Sequence, residues 1–162
     1  MMDANVETRS GGGAEHRGDW GEECSEPLES EMEPNEVTDV IIGAAIEVHR
    51  RLGPGLLEHV YRRCLAYELR KRGLAVVEEK PVAIEYDDLH EPCAFRADLL
   101  VEGLVVVELK AKTQIHPIDK TQTLSYLRLM NLNVGLLINF HEAKLIDGLH
   151  RIVNRYGGPK PS

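Results

Sequence analysis

From Asp98 to Lys110 the chain reads Asp-Leu-Leu-Val-Glu-Gly-Leu-Val-Val-Val-Glu-Leu-Lys: two apolar runs hinged at Glu102-Gly103, with charges at their far ends. Apolar runs of this length around a turn signal form a buried hairpin, and charges carried into such a hairpin need a reason. Glu108 and Lys110 are two apart on a strand, so they share a face. The loop decides whether Asp98 joins them. A two-residue loop would pair Asp98 with Val107 and turn it away from Glu108. A three-residue loop ending in Gly103, with that glycine in the left-handed region, brings all three charges to one face, and this is the expected geometry.

Two carboxylates a few Å apart repel, and their pKa values rise unless a cation neutralises them; for an all-oxygen site that cation is Mg2+ or Mn2+. A lysine beside such an ion suits phosphodiester cleavage, because the ion polarises the phosphate and acidifies a bound water while the ammonium orients that water or offsets charge growing in the transition state. The plainer reading is a solvent-facing aspartate and a Glu/Lys pair on an edge strand.

At 162 residues the chain holds one domain with a proper core and is too short for two comfortable ones. Its net charge of −8 is unevenly spread: residues 1–38 carry eleven acids against Arg9 and Arg17, a net of −9, which leaves about +1 for the remainder. The acidity therefore says little about the folded part. Binding to phosphates would need a local patch or a metal. Cys24, Cys64 and Cys93 are odd in number and far apart, which argues against a disulfide framework, a structural zinc or an iron–sulfur cluster. A cytoplasmic protein is the expectation, since the chain has neither a signal-peptide pattern nor an apolar run of transmembrane length.

Residues 1–36 are rich in Gly, Ser, Pro and Glu and lack apolar periodicity, so a disordered acidic tail is expected there, followed by a domain over 37–156. Met32 stands just before the ordered pattern, which raises translation from that methionine as an expectation that intact mass would test. Thr38 reads as the N-cap of a helix with Val40, Ile41, Ala44, Ala45 and Val48 at helical spacing, ended by Gly53-Pro54-Gly55. A second helix carries Leu56, Leu57, Val60, Tyr61, Cys64, Leu65 and Leu69 and closes at Gly73. Strands are expected near residues 75–86, 92–101 and 104–111, then a helix from Pro117 to about Asn131 and a buried strand over 134–140. A short hairpin around Asp147-Gly148 is expected to end the domain.

The sequence resembles the GxxExxY family, a small branch of the PD-(D/E)XK nuclease superfamily. The naming motif is present as Gly55-Leu56-Leu57-Glu58-His59-Val60-Tyr61, the superfamily signature maps to Asp98 and Glu108-Leu109-Lys110, and Gln122-Thr123-Leu124-Ser125-Tyr126 is similar to the Q-x-x-x-Y element of RecB-like nucleases. The resemblance spans about residues 36–153. It implies an α/β, restriction-endonuclease-like αβββαβ core with a mixed sheet and one extra N-terminal helix, and a metal held where the hairpin strands diverge. It further implies that Asp98, Glu108, the carbonyl of Leu109 and Glu58 hold Mg2+ or Mn2+, that Lys110 acts on the attacking water, and that Gln122 and Tyr126, one turn apart, reach Lys110 or a substrate phosphate. Plainer roles are a dipole-favoured carboxylate for Glu58 and a solvated amide for Gln122. Two departures stand out: Ala97 precedes Asp98 where the superfamily name has proline, and Asp119 occupies a place where the family pattern often has histidine.

Other constellations carry less. The seven histidines show no metal-ligand spacing, and His90-Glu91-Pro92-Cys93 is too isolated for a zinc half-site. His49, beside the apolar stripe of the first helix, suits packing or an N–H bond. His49-Arg50-Arg51 and Arg70-Lys71-Arg72 suit helix C-termini. No phosphate loop or nucleophile elbow is present, and five Tyr, two Phe and one Trp leave little for a base-stacking platform. Two functional readings follow: a Mg2+-dependent nuclease acting on DNA or RNA, or a catalytically silent nucleic-acid-binding or protein-interaction module with the same fold. The small size and the want of a strongly basic surface leave room for a partner protein or a homodimer.

Overall fold

In the computed structural model, which describes residues 31–155, the two most apolar runs lie side by side at the centre of a five-stranded sheet. These are β3 (Val105–Lys110) and β4 (Val134–Asn139), buried along their whole length except at Lys110. Continuous burial is what a strand covered on both faces requires, and the two pair in parallel, Val105 opposite Val134 through Lys110 opposite Asn139. A parallel pair needs a crossover, which α3 (Pro117–Leu129) supplies. The sheet runs β1 (Val76–Tyr86), β2 (Leu89–Val101), β3, β4, β5 (Leu149–Val153), and its other pairings are antiparallel. With α1 (Pro34–Leu52) and α2 (Glu58–Lys71) before it, the order from α2 to β4 is the αβββαβ core that the resemblance implies, with α1 as the extra helix and β5 added at the far edge.

Two cores sandwich the sheet. On one face Val37, Ile41, Ala44 and Val48 of α1 and Tyr61, Leu65 and Leu69 of α2 pack on Leu99, Val107, Leu109, Leu136 and Ile138. On the other, Tyr126 and Leu127 of α3 cover Val82, Ala97 and Val106. Val76, Leu99 and Val101 thus face α1 and α2, whereas Val82 and Ala97 face α3. The β1–β2 pair changes faces between Glu78–Leu99 and Lys80–Ala97, where Glu79 takes a left-handed φ of 50°. A non-glycine residue in that conformation is uncommon; the register runs through it unbroken, the residue across from it is Asp98, and the register shift of this pair lies further on, between Val82 and Ile84.

Several boundaries differ from expectation. The helix α1 starts at Pro34, capped by a reciprocal box between Glu33 and Glu36. Thr38 therefore lies in the second turn, its hydroxyl donating to the Pro34 carbonyl at 2.7 Å. The acidic stretch expected over 1–36 is helical from Pro34, and its first 30 positions lie outside the described residues. The first arm of the last hairpin is a 3-10 turn, Leu145–Gly148, and β5 pairs with β4 instead. The reason is close packing: a Cβ on Gly148 would stand 2.4 Å from the Asn139 carbonyl oxygen, so this glycine lets two backbones approach and marks no hairpin tip. The helix α3 ends at Leu129, with Asn131 left-handed just beyond it.

Candidate active site

The β2–β3 hairpin turns through three residues, Glu102-Gly103-Leu104, with Val101 opposite Val105. The expected loop length is met, but the loop ends one residue later, at Leu104. Both Glu102 and Gly103 are left-handed, φ 53° and 66°, and the Leu104 amide donates back to Val101 at 3.0 Å. Either ending gives the same parity, so Asp98 comes level with Glu108.

At that level the ladder stops and the carboxylates replace it. Pairing between β2 and β3 ends at Leu99–Val107. Beyond it the Asp98 amide donates to Glu108 Oε1 at 3.1 Å, and the Leu109 amide donates to Asp98 Oδ2 at 2.8 Å. Each acid thus caps the other strand's backbone and keeps one oxygen for other partners. The carbonyl of Lys110 accepts from the Phe140 amide on the β4 side, so strand alternation turns the Leu109 carbonyl toward the gap beside Asp98.

Burial in this gap is costly for charge. Glu108 is 4% exposed, and burial, reinforced by the Asp98 carboxylate, pushes its pKa up to about 8. Burial raises Asp98 as well, against the Leu109 amide and the cations Lys110 and Arg62, which favour its charged form. Glu58, the first residue of α2, is raised by burial and by Asp98, with Lys110, Arg62 and Lys112 opposing. Three acids from one helix and two strands therefore act on one another, with Lys110 among them.

The glycine and tyrosine of the Gly55–Tyr61 motif work on the backbone that delivers Glu58. Gly55 has φ 102°, a turn that L side chains resist. The Tyr61 hydroxyl donates to the Gly53 carbonyl at 2.6 Å and accepts from the Leu56 amide at 3.1 Å, while its ring stacks on Phe140 at 4.5 Å. Tyr61 locks the loop into the core and thereby sets where α2 begins.

From the opposite face, α3 brings Tyr126 toward the acids. Burial raises its phenol, and the negative charges of Glu108 and Asp98 add to the rise. Gln122 gives its amide to the Tyr126 hydroxyl at 3.0 Å, so the two form one unit. Phe95 of β2 leans on the Tyr126 ring at 5.5 Å. All seven expected site residues, Glu58, Asp98, Glu108, Leu109, Lys110, Gln122 and Tyr126, thus converge on the end of the β2–β3 ladder.

The donor set suits a hard divalent cation: carboxylates and a carbonyl, with negative charge in excess. Glu58 stands within electrostatic range of Asp98 without completing a cage, for among the described residues no three Asp, Glu, His or Cys side chains are grouped closely enough to hold an ion. Over residues 35–152 the chain matches the family model described as the PD-(D/E)XK nuclease superfamily. The protein belongs to that superfamily. No curated protein and no solved structure matches it.

Against the PD-(D/E)XK name, Ala97 in the place of proline is fully buried under α3. Asp119 has a structural task. Burial disfavours its charge, but the Lys112 ammonium at 2.5 Å and the His116 amide at 2.8 Å outweigh this and hold its pKa below the usual range. Asp119 so anchors the start of α3 to the segment after β3. Asn139 clamps that segment further, accepting from the Lys112 amide at 3.1 Å and donating to the Lys112 carbonyl at 2.7 Å. Sequence reasoning missed Lys112, Asn139 and Arg62. A polar Asn closing the run Val-Gly-Leu-Leu-Ile-Asn was the one visible signal.

The remaining expectations fall into place outside the site. His49 Nε2 bonds the Glu142 carbonyl at 2.8 Å, and Arg50, Arg51 and Arg72 pair with Glu47 and Glu68 on their own helices. No helix among the described residues is long and apolar enough to cross a membrane.

Proposed function

We propose that the protein is a metal-dependent nuclease of the GxxExxY branch, hydrolysing phosphodiester bonds in DNA or RNA. The observation that carries this is the crossed Asp98–Glu108 pair: a half-buried and a buried acid with raised pKa values, held by each other's backbone at the end of a ladder, with Lys110 one strand repeat further on. A purely structural role would be filled better by apolar residues, because burying like charges lowers stability. Asp98, Glu108, the Leu109 carbonyl and Glu58 would hold Mg2+ or Mn2+. When bound, the ion supplies Lewis acidity toward the phosphate and a more acidic water.

The chain's own residues do the rest. Glu108, whose carboxyl burial holds protonated to higher pH than usual, would give up that proton if a cation were held there, since opposite charge lowers a carboxyl pKa. Lys110 presents an ammonium to the same gap, where it orients a water for attack or offsets charge growing on the phosphoryl oxygens. Gln122 and Tyr126 close the α3 side, with the Tyr126 hydroxyl positioned as a donor toward the acids or a phosphate oxygen. Cytoplasmic residence, and a partner protein or second copy to extend the binding surface, belong to the same proposal.

The test is incubation of plasmid DNA and of a long RNA with Mn2+ and the purified full chain. Cleavage by the wild type that is lost in Glu108→Ala and Lys110→Ala supports the assignment. Cleavage retained in a folded Glu108→Ala would refute it. A wild type that cuts neither substrate and binds no metal would be the catalytically silent binding module.

A further inference from the structure

We propose that Phe95 stacks an unpaired nucleobase of the substrate beside the Asp98–Glu108 pair, so that the site takes single-stranded DNA or RNA. This rests on the nuclease reading above and adds to it a substrate class and a substrate-binding residue. The chain has few aromatic residues, but the fold puts one of them at the site. Among the described residues the exposed Phe and Tyr rings are Tyr67, Tyr86 and Phe95, and of these Phe95 alone has a ring contact with a site residue, Tyr126 at 5.5 Å.

Phe95 opens on the α3 side of the sheet, as Glu108 does. Val106 packs under α3, and Glu108, two residues on, shares its face; Ala97 packs there too, and Phe95, two residues before it, shares that face. Tyr126 joins them, for its ring touches Phe95 while its phenol feels the charges of Glu108 and Asp98. Ala97 and Val82 are fully covered there, whereas Phe95, which pairs with Val82, stays 39% exposed. The cover of α3 thus ends at Tyr126 and leaves a large apolar side chain in water three strand residues, about 10 Å, from Asp98. An unburied ring is a cost that a ligand with an apolar face removes, and every nucleobase has such a face. Bases within a duplex stack on one another, so only an unpaired base can offer it.

Charge points the same way. Pairing between β2 and β3 stops at Leu99–Val107, and β1 and β2 continue beyond it as a two-stranded arm. Its tip carries Glu85, Asp87, Asp88 and Glu91, all exposed, with His90 at 3.6 Å from Glu85 and no Lys or Arg from residue 85 to 91. These acids repel a second phosphate strand laid along the arm, which a duplex would bring and a single strand would not.

The experiment is fluorescence anisotropy of the full chain in Ca2+ across a range of salt, with labelled single-stranded DNA and RNA of about 20 nucleotides, the same DNA as a blunt duplex, and an abasic DNA strand of that length. The wild type should bind one or both base-bearing single strands roughly tenfold more tightly than the duplex or the abasic strand. Phe95→Leu keeps an apolar side chain and loses the π-face; it should weaken single-strand binding roughly tenfold and leave both abasic binding and the salt slope unchanged, because no phosphate contact is removed. Phe95→Trp should hold or raise the wild-type affinity, and Tyr67→Leu should match the wild type. Should Phe95→Leu fail to fold by circular dichroism, Phe95→Met carries the same expectation. Wild-type single-strand affinity in a folded Phe95→Leu or Phe95→Met, or an equal loss on the abasic strand, would overturn the role of Phe95. A wild type that binds the duplex as tightly as the single strands would overturn the substrate class. A wild type that binds no nucleic acid at all would overturn the nuclease reading together with both.

Discussion

Replacing Glu108 by Gln should stabilise the metal-free protein at neutral and alkaline pH. The amide keeps an oxygen to accept the 3.1 Å bond from the Asp98 backbone and removes the buried charge. In the folded chain Glu108 is raised from the ordinary 4.5 to about 8, so the folded state holds a proton that the unfolded state releases. Stability from such a group is fully present below 4.5 and is lost as pH rises toward 8. The whole rise is worth at most about 5 kcal/mol, of which about 3 kcal/mol falls between about pH 5 and pH 7.5. In a domain of this size that is roughly 10 °C of melting temperature. Thermal unfolding in EDTA should therefore show the wild type losing stability across this window, with Glu108→Gln losing much less and lying above it at pH 7.5. Adding Mn2+ should raise the wild type and not the variant. Parallel pH profiles, or a variant less stable than the wild type at pH 7.5, would refute the claim that the site stores unfavourable charge.

Three further outcomes follow from named contacts. Lys110→Gln should leave Mn2+ affinity within a few-fold and lower the cleavage rate by roughly 100-fold or more, which single-turnover assays would show. Tyr61→Phe keeps the stack on Phe140 and deletes the hydroxyl that joins Gly53 to Leu56; chemical denaturation should report a loss of about 1 to 2 kcal/mol, with weakened metal binding because α2 no longer starts in a fixed place. Asp119→Ala removes the His116 amide's acceptor and the partner of Lys112; a loss of about 1 to 2 kcal/mol is expected at neutral pH, and the wild-type contribution should disappear in acid as pH falls through the depressed pKa of Asp119.

What could be read in advance was what depends on period and parity. The alternation from Asp98 to Lys110 requires an odd loop if the charges are to meet, and three residues is the loop found, although the turn closes at Leu104. Glu58, Gln122 and Tyr126 were legible through the resemblance to known motifs, to which helical spacing adds that Gln122 and Tyr126 share a face. Other features were masked by composition or left no mark on it. Glu33, Asn35 and Glu36 look like the end of an acidic tail, yet the Glu33–Glu36 box and Pro34 make them a helix start. Asp147-Gly148 carries the composition of a hairpin turn, but Gly148 is there for its contact with Asn139. The face change at Glu79 leaves no mark on composition.

The central claim, that Asp98 and Glu108 form an acidic metal site, is tested most directly by calorimetric titration of Mn2+ into the folded wild type and into Glu108→Ala. Binding by the wild type that disappears in the variant is the predicted result. A folded wild type that takes up no Mn2+, or a variant that binds it with unchanged affinity, would contradict the account.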